Sequence, residues 1–131
     1  MTNPPPPPPS ASLTVAVEGL RDHKGNIIYC LTRRTAEYLA CDRDPHAVHG
    51  RVPAATGAIA FEHVLPGEWA LLLVHDRNAN GKFDKRFGIP REGFGFSGNP
   101  AIRFGAPSAK EVAIAVPAGE SRQTVRMRYI F

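Results

Sequence analysis

The sequence predicts an all-β fold, a single antiparallel β-sandwich of about seven short strands with one long ordered loop. Three observations carry this. Apolar and polar residues alternate with a period of two in several segments, Gly- and Pro-containing turns separate those segments, and no helical pattern runs beyond two turns. A chain of 131 residues suits one core. Its 43% hydrophobic and 21% charged residues are ordinary for a globular protein and exclude wholesale disorder.

Residues 1–12 read as a leader and 13–131 as the sandwich domain. Pro4 to Pro9 form an unbroken run, expected to make a polyproline II rod about 19 Å long from a rise of ~3.1 Å per residue. The leader has neither a basic start followed by an apolar stretch nor a cleavage pattern. The expectation is a spacer that holds the domain off a surface, behind an export signal or lipid anchor preceding this sequence.

The first strand is "SLTVAVEGL", where Leu13, Val15 and Val17 alternate with Thr14, Ala16 and Glu18. "RDHKGN" supplies Gly25 and Asn26 for a turn, and "IIYCLTR" is rich in β-formers. "TAEYLA" is expected to make about one helical turn capped by Thr35, followed by an irregular "CDRDPHAVHG". "GAIAFEHV" and "EWALLLVH", separated by "LPG", read as a hairpin whose second strand is apolar on both faces and therefore central. "KEVAIAV" reads as a strand from Lys110 to Val116. "PAGES" turns the chain into a last strand that faces Val125, Met127, Tyr129 and Phe131 one way and Arg122, Thr124, Arg126 and Arg128 the other. The arginine row reads as a solvated outer face.

Between the central strand and Lys110 lies the chemistry-bearing stretch "HDRNANGKFD". A calcium ion takes about six to eight oxygens at ~2.3–2.6 Å, supplied by alternate residues around a glycine that allows a sharp turn. Asp76, Asn78 and Asn80 stand at the first, third and fifth positions of such a loop, Gly81 at the sixth, the Lys82 carbonyl at the seventh and Asp84 at the ninth. Phe87 stands where a helix-loop-helix hand needs a bidentate Glu, and no flanking helices are predicted, so that hand is excluded. The expected site is a shorter D-x-N-x-N-G-x-x-D loop holding structural Ca2+ and completed by Glu92. Two loop carboxylates among Arg77, Lys82, Lys85 and Arg86 imply an affinity on the order of 10⁻⁴ M or weaker. The competing reading is a metal-free turn with Asp76 and Asp84 bonded to backbone.

The following segment, Lys85 to Ser108, has no periodicity but carries Phe87, Ile89, Phe94, Phe96, Ile102 and Phe104. A loop of this length is expected to be ordered, folded on its own aromatics and clamped at its root by the ion. Arg91, Glu92, Phe94, Phe96 and Asn99 form the candidate surface for a ligand or partner, with a glycan stacked on Phe94 and Phe96 as one option. The alternative is that these aromatics cap the sandwich. No GxSxG is present, nor a Ser with a matching His and acid. His75 is the one candidate general base, although its alternation with Trp69, Leu71 and Leu73 points to a packed residue. The domain is expected to be non-enzymatic.

Net charge is +4, too mild and unpatterned to mark a nucleic-acid interface. No apolar run reaches the ~18 residues of a membrane span. A single subunit is expected. Cys30 and Cys41 either pair, which requires an oxidising compartment, or remain buried thiols.

The segments "GLRDHKGNI", "CLT", "LPGEWALLLVHDRNANGKFD", "FGIPREGFGFSGNP" and "FGAPS" together resemble the bacterial exported family called domain of unknown function 2141, from about Leu13 to Tyr129. The stretch from His75 to Asn99 is the most specific part. The resemblance implies an immunoglobulin-like or transthyretin-like sandwich, export to a periplasmic or secreted location, and no established activity; the expected role, a calcium-stabilised binding module, takes an envelope component or another protein as partner. It favours the Cys30–Cys41 disulfide and supplies no catalytic residue.

Overall fold

Two-residue alternation places Ala11, Leu13, Val15 and Val17 on one face of β1 (Ala11–Glu18), all buried, with less buried neighbours on the other. The structure, a computed structural model, describes residues 9–79, 85–86, 89–90, 93–102 and 105–129. The remaining strands are β2 (Asn26–Thr32), β3 (Val48–Pro53), β4 (Ala58–Val64), β5 (Gly67–Asp76), β6 (Lys85–Arg86), β7 (Ile89–Pro90), β8 (Gly93–Phe96), β9 (Ile114–Val116) and β10 (Gly119–Arg126). One sheet has the order β10-β1-β4 and the other β3-β2-β5-β8, with β9 paired to the start of β5 and a small β6-β7 ladder. This is the predicted all-β sandwich, with one departure: β1 and β10 run parallel, Ala11 opposite Gly119 and Glu18 opposite Arg126.

Several elements differ from the sequence reading. β4 and β5 do not form a hairpin; β4 pairs with β1 and β5 with β2, so "LPG" carries the chain from one sheet to the other. The end of the stretch expected to be irregular, "VHG", opens the edge strand β3, which continues through "RVP", a position that tolerates Gly50 and Pro53. Thr35 does not cap its helix. It is the first residue of a kinked 3₁₀ segment, Thr35–Arg43, and its hydroxyl lies 3.3 Å from Glu68 Oε1. The expected strand from Lys110 begins instead as one helical turn, α1 (Ala109–Val112), where the Ser108 N–H donates to Glu111 Oε2 at 2.8 Å, before β9.

The core lies between the sheets, where Leu13, Val15, Ile59, Phe61 and Val125 meet Ile27, Leu31, Trp69, Leu71 and Leu73. β5 is apolar on both faces because its other face is covered too. Ala70 and Leu72 pack beneath Tyr38, Phe94, Phe96 and Val112. Among the described residues no helix is long and apolar enough to cross a membrane.

β8 arises inside the segment read as a loop. Phe94 lies opposite Val74 and Phe96 opposite Leu72, so both rings share the outer face of β5. Gly93 and Gly95 turn to the interior, where a Cβ on Gly95 would come within 2.7 Å of Val125 Cγ1 and one on Gly93 would overlap the Tyr129 ring. Beyond β10, Arg128 exchanges backbone hydrogen bonds with Phe94 at 2.9 and 2.7 Å and stitches the two sheets together.

Candidate functional site

The alternation that buries Trp69, Leu71 and Leu73 carries on to His75, which is fully buried. On the facing sheet, the row of Val125 and Met127 carries on to Tyr129. The two polar-tipped side chains therefore meet at one end of the sandwich. His75 Nδ1 lies 2.7 Å from the Tyr129 hydroxyl and Nε2 lies 2.7 Å from the Lys24 carbonyl. A carbonyl only accepts, so in the neutral ring Nε2 carries the hydrogen and Nδ1 accepts from Tyr129. The Tyr129 oxygen accepts in turn from the Arg21 N–H at 3.1 Å, and the Arg21 guanidinium sits 4.4 Å from the centre of the Tyr129 ring.

The β1–β2 turn closes this end. Asp22 Oδ1 accepts the Lys24 N–H at 3.0 Å, Oδ2 pairs with Arg77, and Oδ1 stands 3.8 Å from His75 Nε2. The Lys24 N–H, followed by Arg77, holds the Asp22 carboxyl below its ordinary range, while burial pushes the Tyr129 hydroxyl up. Gly25, at φ +68°, lies so close to the Asp76 and Arg77 carbonyls that no Cβ fits there. The arrangement ties together three segments distant in sequence: the β1–β2 turn, the end of β5 and the chain beyond β10.

Asp76 is the last residue of β5, buried and opposite Asn26. Its carbonyl accepts the Ala79 N–H at 3.2 Å, and Ala79 has a left-handed backbone at φ 53°, so the chain turns at once past Asn78. Of the predicted calcium ligands, Asp76 and Asn78 lie at this end. Asn80, Lys82, Asp84 and Glu92 lie outside the described residues, as does Arg91 of the predicted ligand surface. Among the described residues, no three His, Cys, Asp or Glu side chains converge on a metal position.

The rest of the predicted ligand surface is structural. Phe94 and Phe96 are buried at 2% and 6% exposure, and Phe96 meets Tyr38 edge to face at 5.7 Å. Buried rings offer no face to a sugar, so the stacking platform gives way to the packing alternative. Asn99 donates from Nδ2 to the Thr124 carbonyl and accepts the Arg126 N–H through Oδ1, both at 2.8 Å. Its amide thus takes the place of a neighbouring strand on the edge of β10. Cys30 and Cys41 are joined in a disulfide with a Cα–Cα distance of 6.1 Å.

Sequence reading passed over Asp22, Tyr129 and Arg77 as a group. One signal was present: a His and a Tyr, each continuing an inward-facing apolar row, need polar partners once buried. A second polar knot lies at the opposite end of β2. There the buried Asp44 accepts the Thr32 hydroxyl at 2.6 Å and the His46 N–H at 2.9 Å, with Arg34 Nε at 3.8 Å. The Thr32 hydroxyl, then the His46 N–H, holds the Asp44 carboxyl below its ordinary range.

The model of a bacterial family, described as an uncharacterized protein conserved in bacteria (DUF2141), matches residues 15–125. The chain belongs to this family. The DUF2141 match begins inside β1 and ends inside β10, so it encloses the disulfide, His75 and the loop root, while Tyr129 lies just beyond it. No curated protein and no solved structure shows a significant match to the chain.

Proposed function

We propose that the chain is an exported, non-enzymatic module that presents the segment 77–92 to an envelope component or protein partner, with Ca2+ ordering that segment. The observation that carries this reading is the position of Asp76. The oxygen-rich stretch leaves the sandwich at the end where both sheets and the β1–β2 turn are fastened around His75. The root of that stretch is thereby tied to both sheets through the His75 hydrogen bonds and the Asp22–Arg77 pair. The donor set of Asp76, Asn78, Asn80, Asp84, the Lys82 carbonyl and Glu92 is all oxygen, which suits a hard cation over a thiophilic one.

Support for a non-enzymatic role comes from His75, which is sealed from solvent with both ring nitrogens engaged. Support for a periplasmic or secreted location comes from the disulfide, since such bonds persist in oxidising compartments.

Thermal melting with and without calcium tests the ion. At a hundredfold excess over the dissociation constant, binding to the folded chain stabilises it by about 2.7 kcal/mol. The expected result is a melting temperature higher by several degrees in ~10 mM CaCl2, reversed by chelator and lost in Asp84→Asn. A melting curve that calcium does not move rejects the ion and leaves the metal-free turn.

A further inference from the structure

From the surroundings of the Cys30–Cys41 bond we infer that it is a redox-responsive latch, with His49 as the residue that stabilises the Cys30 thiolate on reduction. The bond fastens the 3₁₀ segment Thr35–Arg43 to β2. That segment is kinked at Glu37 and Ala40 and has no side-chain cap at its start, and 3₁₀ turns have poorer hydrogen-bond geometry than an α-helix. It carries Tyr38, whose ring covers Phe96 and whose hydroxyl donates to the Pro107 carbonyl. The latch therefore governs the cover of the second apolar cluster, which includes Leu72, Phe96 and Val112.

The two sulfurs are not equivalent. Cys30 is 7% exposed and Cys41 1%. His49 faces Cys30 directly across the β2–β3 ladder, and its Nδ1 lies 3.9 Å from Cys30 Sγ. A dithiol reductant supplies two electrons and two protons. One of its thiolates attacks the more accessible Cys30 Sγ and forms a mixed disulfide, and Cys41 leaves as a thiolate that takes up a proton. The second reductant sulfur then attacks the first, closing the oxidised reductant, releasing its proton to solvent and expelling Cys30 as a thiolate. A hydrogen bond from His49 Nδ1–H to that thiolate stabilises the leaving group and the reduced state alike. With the bond open, the Tyr38 segment is held only by non-covalent contacts.

The experiment equilibrates the full chain against mixtures of reduced and oxidised dithiothreitol, counts free thiols by alkylation and mass, and follows binding of a hydrophobic dye. His49 is exposed on an edge strand, so His49→Ala leaves the core intact, which a melting curve of the oxidised form verifies. The wild type is expected to be half-reduced at a reduced-to-oxidised ratio about threefold or more below that of His49→Ala. Dye binding is expected to rise on reduction, and a Cys30→Ser/Cys41→Ser double variant is expected to bind dye without reductant. Equal reduction midpoints for wild type and His49→Ala overturn the role of His49. Dye binding that is unchanged in both the reduced chain and the double variant overturns the latch.

Discussion

Tyr129 is held at its oxygen from two sides, donating to His75 and accepting from the Arg21 N–H. Tyr129→Phe keeps the ring but leaves the buried His75 Nδ1 without its donor. A buried polar group stripped of its partner costs about 1–3 kcal/mol, and the urea midpoint is expected to fall accordingly with an unchanged slope. The positions of His75 and Tyr129 were legible, because strand alternation fixes which face each residue takes. Asp22 was not legible. A turn residue has no periodic face, and its partner Arg77 is 55 positions away in sequence, arriving only when β5 docks beside β2.

Among the elements, β8 separates what pattern can reveal from what contact decides. "GFGF" alternates with a period of two, yet its glycines suppress the strand signal. They are required by Val125, Met127 and Tyr129, which belong to a strand that only the fold brings near. β8 thus places Phe96 in a fully enclosed site. Phe96→Ala is expected to destabilise by about 3–5 kcal/mol, read from chemical denaturation. An exposed stacking residue would lose less than about 0.5 kcal/mol, so the same measurement rechecks its assignment to the core. The crossover at "LPG" was equally hidden. A short turn between two strand patterns is consistent with a hairpin or a change of sheet, and only the pairing of β4 with β1 chooses between them.

The whole molecule is pinned at both ends by ionised carboxylates. Asp22 serves the His75 end and Asp44 the opposite end of β2, and both have folded pKa values below the ordinary 3.8. A depressed value means that the folded state favours the charged form. The contribution is present in full above that ordinary value and is lost as pH falls through the folded values. The share of the urea midpoint that these two carboxylates supply is therefore expected to hold down to about pH 4 and to be lost below it. Asp44→Asn, which cannot titrate, is expected to start lower and to show a shallower acid drop. An acid limb as steep in Asp44→Asn as in the wild type would place the linkage elsewhere. The all-β class was readable because several segments shared one period. The polar knots at the two ends were not, because each depends on how the sheets face each other.

The parallel pairing of β1 with β10 also sets which way up the domain stands. The chain enters at Ala11 beside Gly119 and reaches Glu18 beside Arg126, a climb of roughly 23 Å at strand spacing. Only after that climb does it arrive at Arg21 and Asp22. A tether attached ahead of Ala11 therefore works as a mast, with the His75 end at its top and Asp76 directing the chain outward. One attached beyond Tyr129 would turn the same end down against its support.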